Sequence, residues 1–417
     1  MSGAEFDLGR VLRPIEMDQF FGDYWEQRPL IVARNQPDYY ADLFSMRDVD
    51  YIISSTDLRH PAIRLVKSGS DLPLGLFTAD VPWGNDVFRS VADVDKVLAE
   101  YRRGATIILQ ALHRSWRPFA HFCRNLEQHF NYPLQTNVYL TPPASQGFAP
   151  HYDTHDVFVL QIAGSKHWRI YGSPIPFPDR SLPSNSVRVE IGPPLHEFDL
   201  QPGDLIYMPR GYIHEGLTSE SESLHITVGI PTFTWFDVFS EALSMCRQDV
   251  RFRKSLPVGF AEQNGAAADL QAHFRELIDV FSESVHVEDI LNRLADLFIT
   301  TRLPLLDGQL LELGDIDRVD VQTIVRRRPA AIYRLIADEH SVTLLFPGKR
   351  INFPKYGEPL LRFIVETSEF DAESIPGDVD IAEKLGLVRR LIREGFLITA
   401  ESNDKASSPT ERLGELA

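Results

Sequence analysis

Along the chain, the pattern of hydrophobic and polar positions changes period. Up to about residue 130 it mixes helical and extended textures. In Met17–Trp25 (MDQFFGDYW) aromatic residues stand at Phe20, Phe21, Tyr24 and Trp25, the spacing of a short amphipathic helix. Val91–Tyr101 and Pro118–Phe130 also have helical spacing, and the β-branched run GATIILQAL (104–112) between them predicts a strand. From Gln135 to about Ile230 the period falls to two. Alternating runs at Gln135–Thr141, His151–Ile162, His167–Tyr171, Val187–Ile191, Asp204–Met208 and Leu224–Ile230 predict an all-β barrel or sandwich. Pro202-Gly203-Asp204 is a tight turn that feeds one of them.

After Pro231 the helical period returns in 233–246 and 287–298, with a loop expected over Pro257–Ala268. The stretch from about Leu303 to Ala400 reads as a helix over 320–337, then a hairpin of Ser341–Phe346 and Lys349–Phe353 turning at Pro347-Gly348. Helices over 357–366 and 380–394 and a short strand follow, a succession that predicts a winged-helix-like module. The tail from Glu401 is polar and expected to be disordered. Phe233, Trp235, Phe236, Phe239 and Leu243 are too many apolar residues for one solvated helix. They predict a two-fold homodimer interface, with packing on the barrel as the alternative.

Alternation matters most where it gathers polar side chains. In HYDTHD (151–156), His151, Asp153 and His155 share one face of a strand and Tyr152 and Thr154 the other. An imidazole and a carboxylate so placed form two corners of a metal site. His214, which follows a turn, a strand and a Pro209-Arg210-Gly211 bend, is the candidate third ligand. Two histidines and one carboxylate leave three positions of an octahedral ion open, the arrangement of non-haem iron(II) oxygenases. A bare His-x-Asp is common by chance, and His155 stays open as a replacement for either ligand. His121, His196 and His225 read singly as structural, and Glu215 has the wrong parity. Lys166 shares its face with Trp168 and Ile170, so its ammonium needs an anion such as the far carboxylate of a 2-oxo acid. Two further strands carry a polar face: Gln135, Asn137, Tyr139 and Thr141 on one, Ser223, His225, Thr227 and Gly229 on the other. With their apolar faces packed on an outer layer, these polar faces would wall a pocket.

Composition narrows the classes. The chain of 417 residues, 43% hydrophobic and 24% charged, is that of a globular protein with more than one domain. No run of about 18 apolar residues predicts a membrane span, and the first residues lack the apolar core of a secretory signal. Cys123 and Cys246 are too few for a disulfide framework or a thiolate zinc site, so a cytoplasmic location is expected. A net charge of −17 disfavours nucleic acid and favours a basic protein or peptide as partner.

With these residues in view, HYDTHDVFVLQIAGSKHWRIY (151–171) and PGDLIYMPRGYIHEG (202–216) resemble the cupin-type JmjC ribosomal oxygenases, as do YWEQRPL (24–30) and NVYLTPPASQGFAPHYD (137–153). The resemblance covers most of the chain. It implies an α+β fold: a double-stranded β-helix (jelly-roll, cupin) JmjC core with flanking helices over 1–231, a helical dimerisation segment over 232–302, a winged-helix-like domain over 303–400 and a tail over 401–417. It further implies His151, Asp153 and His214 as catalytic Fe(II) ligands, Lys166 on the 2-oxoglutarate carboxylate, and Asn137, Tyr139 and Thr227 as further pocket residues. The implied reaction is hydroxylation of a histidine or arginine of a ribosomal protein; from the charge and the lack of an apolar span, no direct nucleic-acid or membrane binding is expected. Rival readings are a metal cupin enzyme that does not use 2-oxoglutarate, an oxygenase of another peptide or small molecule, a histone lysine demethylase, and a non-catalytic scaffold of the same fold.

Overall fold

A computed structural model of the chain describes residues 6–184, 190–260 and 267–400. The expected Val187–Ile191 strand in large part, the Pro257–Ala268 loop in part, and the tail from Glu401 entirely lie outside those residues. The backbone forms two compact units, Met1–Thr232 and Phe233–Ala417.

In the first unit, ten strands concern the site: β1 (Leu30–Val32), β2 (Ile63–Lys67), β3 (Thr106–Leu109), β4 (Gln135–Thr141), β5 (Asp156–Gly164), β6 (Lys166–Ile170), β7 (His196–Leu200), β8 (Leu205–Met208), β9 (His214–Leu217) and β10 (Ser223–Ile230). An eight-stranded antiparallel sheet runs β1-β8-β5-β10-β4-β3-β2 and ends on Ser70–Asp71, and a three-stranded sheet runs β7-β6-β9. One face of the large sheet is covered by helices. Arg117–Phe130 takes Pro118 in its first turn, where the missing N–H costs nothing, and buries Phe119, Phe122, Cys123, Leu126 and Phe130. Met46–Ser55 opens on a capping box between Ser45 and Asp48. Val138, Leu140, Phe158, Leu160, Leu224, Ile226 and Val228 pack with Phe20, Phe44, Phe119 and Phe122 into one core. Each such side chain contributes about 1.5–3 kcal/mol by leaving water. That burial fixes register, because a slip of one residue would turn the apolar set outward. Asn137, Tyr139, His225 and Thr227 are thereby left on the other face.

Several expectations need correction. The run expected as one strand over His151–Ile162 is a strand only from Asp156. Before it, His151 makes a single bridge to His214, and the Asp153 carbonyl accepts from the Gly211 N–H (3.0 Å) instead of a ladder neighbour. The helix expected from Val91 begins at Val94, capped by Asp93, and Val91 belongs to a hairpin strand, Asp86–Ala92. Strand β7 was not expected at all.

The second unit begins with helices Trp235–Cys246, Ala267–Ser284 and Val287–Thr300. No helix forms over 320–337. Strands Val325–Arg327 and Arg334–Ala337 stand there instead. Pro329 denies a helix an N–H and disfavours helical geometry at Arg328, and Ala330 adopts φ +54°. The expected hairpin is present as Ser341–Phe346 and Lys349–Pro354, with Gly348 at φ +74° in its turn. Helices Glu358–Glu366 and Ile381–Arg393 and strand Leu397–Thr399 follow. Val325, Val342, Leu344, Leu361, Ile364, Leu391 and Leu397 centre a separate core.

Candidate active site

A cavity of about 300 Å³ opens between the polar face of the large sheet and the small sheet. At one end, ligand atoms of His151, Asp153 and His214 all lie within 4.8 Å of one another. Regular strand alternation does not deliver them. The His151 N–H donates to the His214 carbonyl (3.1 Å) and the His214 N–H to the His151 carbonyl (2.8 Å), which sets the two residues opposite each other. Tyr152 turns away and is buried with Tyr171 and Ile213. A brace fixes the backbone on both sides. Arg210, in the bend before His214, pairs with buried Asp156 (2.6 Å) and with Glu26 (2.5 Å). Tyr207 donates its hydroxyl to Asp156 (2.8 Å) and accepts from the Glu26 N–H (2.9 Å).

The imidazoles are set up as ligands. His151 Nδ1 lies 2.8 Å from the Ala149 carbonyl and His214 Nδ1 lies 3.1 Å from the Tyr212 carbonyl. A carbonyl only accepts, so each Nδ1 carries the hydrogen and each Nε2 keeps its lone pair for a metal. Burial, and next the neighbouring His151, lower the His214 pKa to about 4, which keeps it neutral. Burial opposes ionisation of Asp153, but His214, His155 and His151 together outweigh it and hold the carboxyl below its usual range. His214 Nε2 and Asp153 Oδ2 are 3.8 Å apart. Ligands about 2.1 Å from one ion stand on the order of 3–4 Å apart, so small side-chain adjustments suffice. Two neutral nitrogens and one carboxylate suit a divalent transition metal with open positions.

The far end is different in kind. Lys166 is buried, its Nζ 3.5 Å from Thr141 Oγ1 and 5.7 Å from the centre of the Trp168 ring. Burial lowers its pKa to about 8. No carboxylate of the described residues pairs with it, and an anionic ligand would supply the missing charge. Asn137, Tyr139 and Thr227 line the cavity. His155 lines it too but stands outside the three-residue cluster, filling the space over Gly229, whose added Cβ would come 2.6 Å from His155 Nε2. Arg64, Phe148, Trp168, Gly216 and His225 also reach the cavity. His225 shares the pocket-facing parity of Thr227, although a single histidine by itself reads as structural. Nothing in the sequence marks Gly216.

The chain matches the JmjC domain family over residues 111–238. It is 31% identical to ribosomal oxygenase 1 of Gallus gallus, over 93% of this chain and 71% of that protein. The chain belongs to the JmjC ribosomal oxygenase family. Another relative in the family is a Drosophila persimilis protein named bifunctional lysine-specific demethylase and histidyl-hydroxylase NO66, 32% identical over 69% of this chain and 41% of that one. Among solved structures, the Escherichia coli ribosomal oxygenase YcfD in complex with cobalt and 2-oxoglutarate superposes with a TM-score of 0.56, at 17% identity, over 93% of this chain and 99% of that one. That likeness is one of fold, and together with the JmjC match over 111–238 it identifies the two facing sheets as the cupin core of a JmjC domain.

Proposed function

We propose that the chain is an iron(II)- and 2-oxoglutarate-dependent oxygenase that hydroxylates a histidine or arginine side chain of a ribosomal protein. The observation that carries this reading is one cavity with two built ends: the His151, Asp153 and His214 cluster at one, the buried Lys166 ammonium at the other. The names of the relatives, ribosomal oxygenase and histidyl-hydroxylase, support the substrate class. Iron(II) with 2-oxoglutarate and O₂ supplies an oxidant able to convert an unactivated C–H bond to C–OH, with succinate and CO₂ released.

The chain's own residues do the positioning. His151, Asp153 and His214 would hold the ion, and three protein ligands would leave it positions for co-substrate and O₂. Lys166 takes the distal carboxylate of 2-oxoglutarate, and Asn137, Tyr139 and Thr227 bound the space between. Val157, Val159 and Met208 add an apolar part to the lining. A chain of net charge −17 attracts a basic substrate. The deciding experiment is mass spectrometry of ribosomal proteins from cells with and without the gene. A gain of one oxygen on a single side chain, present only with the intact gene, is expected, and its absence from every ribosomal protein rejects the substrate class.

The finer architecture belongs to the same proposal: a catalytic part over 1–231, a helical dimerisation segment over 232–302 and a winged-helix-like module over 303–400 that binds no nucleic acid. Exposed apolar side chains support a homodimer. Trp235 and Phe236 are more than 70% exposed, and Phe239 and Leu243 more than 50%. A cytoplasmic location accords with two free, buried cysteines. No helix of the described residues is long and apolar enough to cross a membrane.

A further inference from the structure

The end of the cavity that holds Lys166 has more hydrogen-bonding capacity than one ammonium. His225 stands directly opposite Tyr139 in the β10–β4 ladder. Its ring lies flat on that of Tyr139, centroids 4.9 Å apart and planes within 4°, and edge-on to Trp168 at 5.8 Å. It is 2% exposed and lines the cavity. Its orientation is therefore fixed by packing. A core histidine of ordinary kind satisfies its ring nitrogens within the protein. This one does not: Nδ1 is buried with no hydrogen-bond partner among the described residues, and the same holds for Nε1 of neighbouring Trp168. Among the described residues, the one hydrogen-bond partner of Lys166 Nζ is Thr141, at the long distance given above.

The chemistry of these three groups points one way. An ammonium and an indole N–H can only donate, and a neutral imidazole has one N–H to give. Burial, and next the charge of Lys166, keep His225 neutral. The set therefore carries one positive charge with three donor groups and suits a single carboxylate better than a doubly charged phosphate. We infer that His225 is a binding residue that, with Lys166, holds the distal carboxylate of the 2-oxo acid and makes the site select a dicarboxylic over a monocarboxylic 2-oxo acid. This rests on the co-substrate reading above. His225 takes no part in holding the metal, so its loss leaves metal affinity unchanged.

The test compares two ligands on the manganese(II)-loaded full chain: 2-oxoglutarate, and 2-oxobutanoate, which lacks the distal carboxylate. Dissociation constants are measured by calorimetry for the wild type, His225→Phe, His225→Gln and Lys166→Ala. His225→Phe keeps a ring to stack on Tyr139 and removes the donor. It should lower the preference for 2-oxoglutarate about tenfold, as expected for one hydrogen bond to a charged group, at unchanged manganese affinity. His225→Gln, which restores a donor, should recover part of that preference. An undiminished preference in His225→Phe overturns the proposal, as does an equal loss in His225→Gln, which would assign the ring to packing. Should His225→Phe not fold, His225→Leu is read in its place. Lys166→Ala separates the two levels. If it retains the full preference, the co-substrate reading itself fails. If it loses the preference while His225→Phe does not, only the role of His225 falls.

Discussion

The two ends of the cavity are built by different means. At the far end, Tyr139, Thr141 and His225 stand on the β4–β10 ladder, in which every second side chain must point inward because its neighbours are buried in a core on the outer face, and Lys166 stands on β6, whose alternate residues His167 and Arg169 are partly exposed. At the metal end, regular pairing stops. His151 and Asp153 lie on backbone that precedes β5, held by one bridge, one carbonyl contact and the Asp156–Arg210–Glu26 brace. A ladder spreads orientation over many equivalent hydrogen bonds, so one lost side chain leaves its neighbours in place. The metal end concentrates it in a few long-range links. The metal end should therefore fail as a unit, and the far end residue by residue.

The largest effect is expected from the ligands. Asp153→Ala should bring 2-oxoglutarate-dependent succinate formation below detection and weaken iron(II) binding, with circular dichroism unchanged. Retained turnover would remove Asp153 from the ligand set. Next comes the brace. Asp156→Asn breaks a buried ion pair, which costs about 3–5 kcal/mol of stability in chemical denaturation. Loss of such an outer partner should also cost about 10- to 100-fold in metal affinity. A variant that loses stability and binds iron(II) as well as the wild type would show that the metal end does not depend on the brace.

Variants of the far end should spare the metal and touch only the co-substrate. Lys166→Ala should raise the KM for 2-oxoglutarate tenfold or more, since a hydrogen bond to a charged group is worth about 1.5–3 kcal/mol. The same lysine sets a pH dependence in the wild type. Its pKa is lowered to about 8 by burial, so the ammonium that receives the carboxylate is present below that pH and is lost above it. The KM should be flat below about pH 8 and rise above it by up to about tenfold per unit. A flat profile up to pH 9 would mean that a different cation binds the carboxylate. The smallest effect is expected at Gly216, where an added Cβ would come 2.8 Å from Lys166 Cε. Gly216→Ala should raise the KM for 2-oxoglutarate a few-fold, about 1 kcal/mol for displacing one packed side chain, with iron(II) affinity constant. Equal weakening of both would merge the two ends into one structural unit.

Much of this was legible from residues alone. The spacing of β4, β5, β6 and β10 and the direction of Lys166, Asn137, Tyr139 and Thr227 follow from period two, because a half-buried sheet forces one face inward wherever pairing is continuous. Helices Arg117–Phe130, Glu358–Glu366 and Ile381–Arg393 follow from apolar spacing and their starting residues. The helix expected over 320–337 does not form because Pro329 interrupts it, and the positive φ of Ala330 shows only in the structure. What only the tertiary structure decided is the metal end. The same parity that paired His151 with Asp153 would have admitted His155 as well, and the choice between them comes from backbone that has left the ladder. His151 meets His214 across 63 residues of chain, and Glu26 reaches Arg210 from farther still. Periodicity is a local property of the chain, whereas convergence on one ion is set by contacts between segments distant in sequence, and no period records those.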